Sequence, residues 1–274
     1  MASFRSDMRS GLWLPLFEEL ADPAVVARLT ADAEERGWHG VFVWDQLRWR
    51  EPIKQVADPW ITLAAIAAAT EDVMLGPMVT PLARRRPAKV ARETATLDRL
   101  SGGRLVLGVG LGGDRFAGEF SKTGEQLNDR VRGEMLDEAL EILLAAWSGE
   151  PVTHRDKHYL IDNMQFLPRP MQRPRIPVWA AAFPGNVKPL RRAARYDGFF
   201  PVNLKNVDEF AQAVATVREL RGDNSAPYDI AVELRPGSDV AAYAEAGATW
   251  WMTELEPGVS LDEVRGVIRD GPAG

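Results

Sequence analysis

Gly40-Val41-Phe42-Val43-Trp44-Asp45-Gln46-Leu47 changes character in the middle. Its first five positions are β-prone or small, and neither alternating face is polar. That is how a strand buried on both faces reads. It then breaks into Asp45-Gln46, and in parallel α/β folds the residues at the carboxyl end of such a strand are where chemistry is placed. A second stretch behaves the same way. Gly103-Arg104-Leu105-Val106-Leu107-Gly108-Val109-Gly110-Leu111-Gly112-Gly113-Asp114 is an apolar run that dissolves into glycine. Asp45, Gln46 and glycines 108, 110, 112 and 113 are therefore the first candidates for a site.

Working outward, short apolar runs alternate with amphipathic segments. Strands are expected at 11–16, 40–44, 73–79, 105–109, 178–182, 198–202, 230–234 and 249–253. Between them, helices are expected at 23–36, 58–70, 87–100, 129–147, 185–195, 207–220, 240–245 and 261–269. Asp22-Pro23 and Asp58-Pro59 pair an N-cap with proline in the first helical turn. The rhythm is interrupted twice, after the fourth strand (112–126) and before the fifth (149–177). Prolines 151, 168, 170, 174 and 177 exclude regular helix or central strand from the second interruption and leave a short hairpin plus an extended arm over the barrel. Eight strands alternating with eight helices is the count of a (β/α)8 TIM barrel, expected here as one α/β domain over 1–274 with two insertions. A doubly wound open sheet has the same alternation.

The 274 residues suit a fold that typically takes about 250. Net charge is −6, and the longest basic run is Arg84-Arg85-Arg86, so neither nucleic acid nor an anionic membrane is an expected partner. That triplet reads as a loop cap or solvated turn, or as contact with an anionic cofactor. The chain has no cysteine, which excludes disulfides and thiolate chemistry and fits a reducing cytoplasm. No run of about 18 apolar residues suggests a membrane span. The histidines at 39, 154 and 158 lack metal-site spacing, so no metal is expected.

A closed barrel would gather Asp45-Gln46, Thr80, Gly110 to Asp114, Ala182 to Asn186, Asn203 and Glu254 at one end. The turn Ala182-Phe183-Pro184-Gly185-Asn186 feeds a helix, and helix N-terminal amides bind phosphate. Tryptophans 13, 44, 179, 250 and 251 lie in or near strands, where they fill a barrel or wall a planar ligand.

At this point the residues resemble the bacterial luciferase-like oxidoreductases, which use FMN or the deazaflavin F420. The likeness rests on Val43-Trp44-Asp45, on Leu75-Gly76-Pro77-Met78-Val79-Thr80-Pro81, on Arg85-Arg86-Pro87, and on Leu97 to Arg104 with Gly108-Val109-Gly110 beyond. Ile176-Pro177-Val178-Trp179 and Ala193 to Gly198 extend it. The resemblance implies a barrel enzyme with F420 or FMN, a small-molecule substrate and a possible homodimer. It implies a non-prolyl cis peptide near Pro77-Met78. It places Asp45, Pro77, Met78 and Thr80 along the cofactor ring, with Gly110, Gly112 and Gly113 near the tail. Ala182, Phe183, Gly185 and Asn186 then face its phosphate, and Asp45 and Gln46 take the catalytic positions.

The chain departs from the family's pattern at three points. Many members have histidine where this chain has Gln46, and glutamine is no general acid or base near neutrality. Some F420 enzymes carry an acid and an asparagine at about Gly113 and Phe116, and some FMN binders an arginine at Leu111. The expected function is hydride transfer or oxygenation of a small organic substrate. The alternative is a non-catalytic or degenerate flavin-binding barrel. A barrel enzyme without flavin would need a lysine, histidine or metal at the mouth.

Overall fold

A computed structural model describes residues 8–115 and 117–272, so Phe116 lies outside the described residues. Parallel strands β1 (Arg9–Leu14), β2 (Gly40–Val43), β3 (Met74–Pro77), β4 (Thr80–Pro81) and β5 (Leu107–Gly110) are joined by α1 (Pro23–Glu35), α2 (Pro59–Ala69) and α3 (Pro87–Leu100). After α4 (Asp129–Ser148) and a hairpin of β6 (Val152–Arg155) and β7 (Leu160–Met164), the alternation resumes. It continues as β8 (Val178–Ala182), α5 (Val187–Ala194), β9 (Gly198–Pro201) and α6 (Val207–Arg221). It ends with β10 (Asp229–Leu234), α7 (Val240–Glu245), β11 (Trp250–Glu254) and α8 (Leu261–Asp270).

The sheet runs β3-β2-β1-β11-β10-β9-β8-β5-β4. β3 and β4 are two halves of the third barrel strand, broken at the non-prolyl cis bond Met78–Val79, one bond beyond the expected place. A bridge between Leu75 and Leu105 joins β3 to the lead-in of β5, with Leu75 N donating to Arg104 O (3.1 Å) and Val106 N to Leu75 O (2.9 Å). The ring is thus a barrel rather than an open doubly wound sheet.

The helix boundaries follow from their caps. Asp22 accepts from Ala24 N and Asp58 from Ile61 N, each behind a proline at the first helical turn. Such caps are worth about 1 kcal/mol apiece. α2 has no glycine stop. Its end is instead held by one guanidinium, as Arg104 donates to the carbonyl of Ala67 in the last turn (3.0 Å), of the C-cap Thr70 (2.8 Å) and of Val73 just beyond (2.8 Å).

Strand alternation divides the core in two. Phe42, Met78, Val106, Trp179, Phe200, Ala231, Trp250 and Met252 fill the barrel, while Val41, Val43, Leu107, Val178, Val232 and Trp251 face the helices. Of the expected barrel-filling tryptophans, Trp251 therefore belongs to the outer layer.

The second insertion forms the expected hairpin but does not arch over the barrel. It runs along the outer faces of α3 and α4. Glu138 of α4 accepts from His158 N (3.0 Å), Tyr159 N (2.8 Å) and His154 Nε2 (3.0 Å), and Asp98 of α3 accepts from Met171 N (2.6 Å). These buried carboxylates take up backbone donors of the arm at His158, Tyr159, Met171 and Gln172, which fixes it to the wall. No helix among the described residues is long and apolar enough to cross a membrane.

Candidate active site

The carboxyl ends of the strands form a cup above the barrel filling. Trp13, Val79, Ala181 and Val202 pack on the interior cluster while remaining partly exposed. Trp13 stands 4.9 Å from Trp44 and 5.5 Å from Phe200, ring centre to ring centre. Its indole N–H donates to Met78 O at 2.7 Å, which ties β1 to the carbonyl just before the cis bond. Gly110 lets the neighbouring strand close up, because a Cβ there would come within 2.7 Å of Val79 Cγ2.

The structure brings Asp45, Gln46 and Thr80 together, but outside this cup. Trp44 joins the aromatic cluster with Trp13, Phe17 and Trp49, so strand alternation sends Asp45 the other way, toward the turn that opens α3. There Asp45 is fully buried. Its Oδ1 accepts from Arg84 Nη2 (2.5 Å) and Arg85 Nη2 (3.0 Å). Its Oδ2 accepts from Arg85 Nε (3.2 Å) and the Thr80 hydroxyl. Arg84 also reaches Glu119 at 2.7 Å, and Glu119 accepts from Leu47 N at 2.8 Å. With its amide oriented to satisfy this network, Gln46 donates to Glu119 at 3.1 Å. Burial pushes the Glu119 carboxyl up, against the pull of Arg84. Within the basic triplet, Arg84 and Arg85 turn inward to Asp45, while Arg86 stays exposed at the start of α3. Arg84 and Arg85 bind the end of β2 to β4; Arg84 also ties it to the first insertion, packing beside Phe120, whose ring lies 4.6 Å beneath Arg132, while Arg85 stacks over Trp60.

The remaining expected residues separate by strand parity. Pro77 pairs with Val43, and Met78 fills the barrel below the cup. Gly112 has φ +66 and a Cβ there would strike Phe120 and Pro81, so it shapes the loop, whereas Gly113 is open. Ala182 faces the helices and Ala181 faces the cup, one residue from the expected position. Phe183 is 49% exposed, Gly185 has φ +80 with open space around it, and Asn186 precedes α5 without capping it by its side chain. The first amides of α5 are left available to an anion.

Sequence reading overlooked Glu233. It follows inward-facing Ala231 by two positions on β10, as Glu254 follows Met252 on β11, and Glu254 pairs with Trp13. Both carboxyls therefore point into the cup. Burial, then the Glu254 charge, pushes the Glu233 carboxyl up to about 7, and burial and Glu256 raise Glu254. The period-two spacing of Ala231 and Glu233 was visible in the sequence, but the face it lay on was not.

The raised Glu233 carboxyl has a consequence for stability. From its ordinary 4.5 up to about 7 the folded state holds a proton the unfolded state has lost, so stability falls as pH rises through that window. Glu233→Gln is expected to raise the unfolding temperature at pH 8 and leave it unchanged at pH 4. The gain is at most about 3.5 kcal/mol, from about 1.4 kcal/mol per pH unit over that window. Equal shifts at both pH values would refute the assignment.

Comparison with known proteins places this architecture. The family model described as luciferase-like monooxygenase matches residues 8–253. An F420-dependent glucose-6-phosphate dehydrogenase from Kineococcus radiotolerans is 30% identical over 234 residues, covering 79% of this chain and 65% of the relative. An F420-dependent hydroxymycolic acid dehydrogenase from Mycobacterium tuberculosis is 32% identical over 167 residues, covering 60% of this chain and 45% of the relative. The chain thus spans less than two thirds of either relative's length. A monooxygenase from Streptomyces bottropensis superposes with a TM-score of 0.70 at 25% identity, over 83% of this chain and 71% of that one. The matched span runs from β1 into β11 and takes in the cup, so this chain belongs to the luciferase-like monooxygenase family.

Proposed function

We propose that the protein is a single-domain oxidoreductase that binds the deazaflavin F420 at the carboxyl end of the barrel and transfers hydride to or from a small organic substrate. The observation that carries this reading is the cup itself. Its walls are flat or small (Trp13, Val79, Gly110, Ala181, Val202), and the backbone beside it is open at Gly113 and Gly185. These residues fit a planar ring with an anionic tail. Trp13, Val79 and Ala181 would hold the ring, and Gly113 with the turn Phe183–Asn186 the tail. When bound, the deazaflavin supplies a hydride acceptor or donor. The protein's own part is orientation and the exclusion of water. The Trp13 bond to Met78 O fixes the wall, and the Asp45–Arg84–Arg85 network fixes the strand ends that carry it. Support for F420 over FMN comes from the curated relatives, both named as F420-dependent.

The test is a side-by-side fluorescence titration with F420 and FMN. Saturable quenching by F420 is expected. Tighter FMN binding would move the reading to oxygenation, and binding of neither would end it. Ala181→Trp fills the cup from a partly exposed position. It is expected to weaken F420 binding roughly a hundredfold, about 3 kcal/mol, with the circular dichroism spectrum intact. Undiminished affinity would place the ring elsewhere.

We also propose a cytoplasmic homodimer, joined through the α2–α3 face, where Ile61 (65% exposed) and Leu100 (51%) stand clear of the core. Light scattering should give twice the chain mass, and Ile61→Glu should reduce it to one chain. A monomeric wild type would refute this.

A further inference from the structure

At the amino ends of the strands, opposite the cup, a cavity of about 260 Å³ opens between α6, the turn that follows it and the turn before β11. Two arginines from the last turn of α6 line it. Arg221 is held by carbonyls. Its Nη1 donates to Ala194 O (3.4 Å) and Tyr196 O (3.3 Å), its Nη2 donates to Ala226 O (3.0 Å), and its guanidinium lies 3.9 Å from the centre of the Tyr228 ring. Arg218 reaches across to the turn before β11. Gly247 makes room for it there, since a Cβ would come within 2.5 Å of Arg218 Nη2, and its φ of +106 favours glycine.

Among the described residues neither arginine pairs with a carboxylate. The acids that head the adjoining strands are already taken, Asp229 by Arg9 at 2.5 Å and Asp197 by Arg175. A chain of net charge −6 thus keeps two guanidiniums in one concave site without a counter-charge. Stabilising the carboxyl end of a helix accounts for Arg221, which satisfies carbonyls, but not for Arg218, whose guanidinium lies against another turn. The lining also offers neutral donors. Asn224 Oδ1 accepts from Ala226 N at 3.1 Å, which leaves its NH2 group and the Ser225 hydroxyl without a partner among the described residues.

We propose that this cavity is a binding site for a small phosphomonoester, separate from the barrel mouth. Its donors come from two elements, the guanidiniums from α6 and the Asn224 and Ser225 side chains from the turn after it. A tetrahedral dianion has three oxygens to meet such a set, whereas a planar carboxylate is matched by a single guanidinium fork. The cavity exceeds a phosphoryl group in size, and Tyr228 and Ile230 give it an apolar side, so the ligand carries a small organic group. Through Arg218 the bound ester joins α6 to the turn before β11.

The test uses the whole chain labelled with nitrogen-15, at an ionic strength held constant with sodium chloride. Amide signals are followed as inorganic phosphate or glycerol phosphate is added. Those of Ser225, Ala226 and Gly247 should move and saturate, with glycerol phosphate the tighter ligand. Arg218→Ala should weaken both at least about tenfold, the scale of one lost charge-assisted hydrogen bond. Arg218→Lys should restore only part, because an ammonium lacks the fork. Arg218 is exposed, so its variants should unfold within about 2 °C of wild type. Ser225→Asp brings a carboxylate to the lining and should suppress phosphate binding with Arg218 intact.

No saturable shift at Ser225, Ala226 and Gly247, or the same shifts from chloride alone, would overturn the site. Binding that survives both Arg218→Ala and Ser225→Asp would also overturn it. An anion held by the first amides of α5 moves Val187 and Lys188 instead, and neither substitution touches it. Tighter saturation by malonate than by glycerol phosphate would overturn the ligand class.

Discussion

Replacing Gly76 by alanine is expected to keep the barrel from closing. A Cβ built at this position lies 1.9 Å from the carbonyl oxygen of Val106, far inside any tolerated contact. The obstacle is backbone, so no rotamer change relieves it. The clash falls on the seam between β3 and β5, where hydrogen bonds from Leu75 N and Val106 N are the ladder joining the two sides of the ring. Separating those strands by an ångström or more removes the bonds and opens the interior packing of Phe42, Met78 and Val106 to water. Overpacking alone costs about 1–3 kcal/mol, and lost buried hydrogen bonds add to it. We expect a total above about 4 kcal/mol, hence an unfolding temperature lower by roughly 10 °C or an insoluble product. An unfolding temperature within 2 °C of wild type would show that the seam yields.

Asp45→Ala is expected to destabilise the protein by about 3–5 kcal/mol, the usual cost of leaving buried charge without its partner. Arg84 is 4% exposed and Arg85 18%, and both aim at this one carboxylate. The Thr80 hydroxyl loses its acceptor as well. Asp45→Asn keeps the volume and one acceptor oxygen and should cost less. The decisive measurement is a cycle. Adding Arg85→Met to Asp45→Ala should recover part of the loss in chemical denaturation, because one stranded cation is removed with it. Additive losses would mean that Asp45 and Arg85 do not act as a unit. The same reading expects Asp45 substitutions to appear first in stability, with chemistry affected only as the strand ends loosen.

Much of this was legible along the chain. Alternation placed the strands. The first strand lies two residues earlier than expected because β1 is registered by β11, with Arg9 opposite Trp250. The third strand proved to be two pieces, since the cis bond interrupts the ladder. Gly40–Val43 and Val178–Ala182 were readable because a strand buried on both faces needs apolar residues at every position. Asp22 and Asp58 announced their helices because a cap bonds only two or three residues away. The family motifs were equally local.

The site was readable only in outline. Asp45 meets Thr80, Arg84 and Arg85 across 35 to 40 positions, and Leu47 meets Glu119 across 72. Nothing within a few residues of Asp45 says that two arginines will consume it. Whether Ala181 or Ala182, Glu233 or Leu234, looks into the barrel depends on the register each strand takes with its neighbours, and a one-residue slip reverses the answer. The sequence by itself determined the alternation and the caps at Asp22 and Asp58, because those are settled by side chains within one turn or one pleat. Only the tertiary structure decided that Asp45 is taken up by Arg84 and Arg85 and that Glu233 and Glu254 lie on the inward faces of their strands. Burial, counter-charge and direction into the cup arise only when distant strands close into a ring.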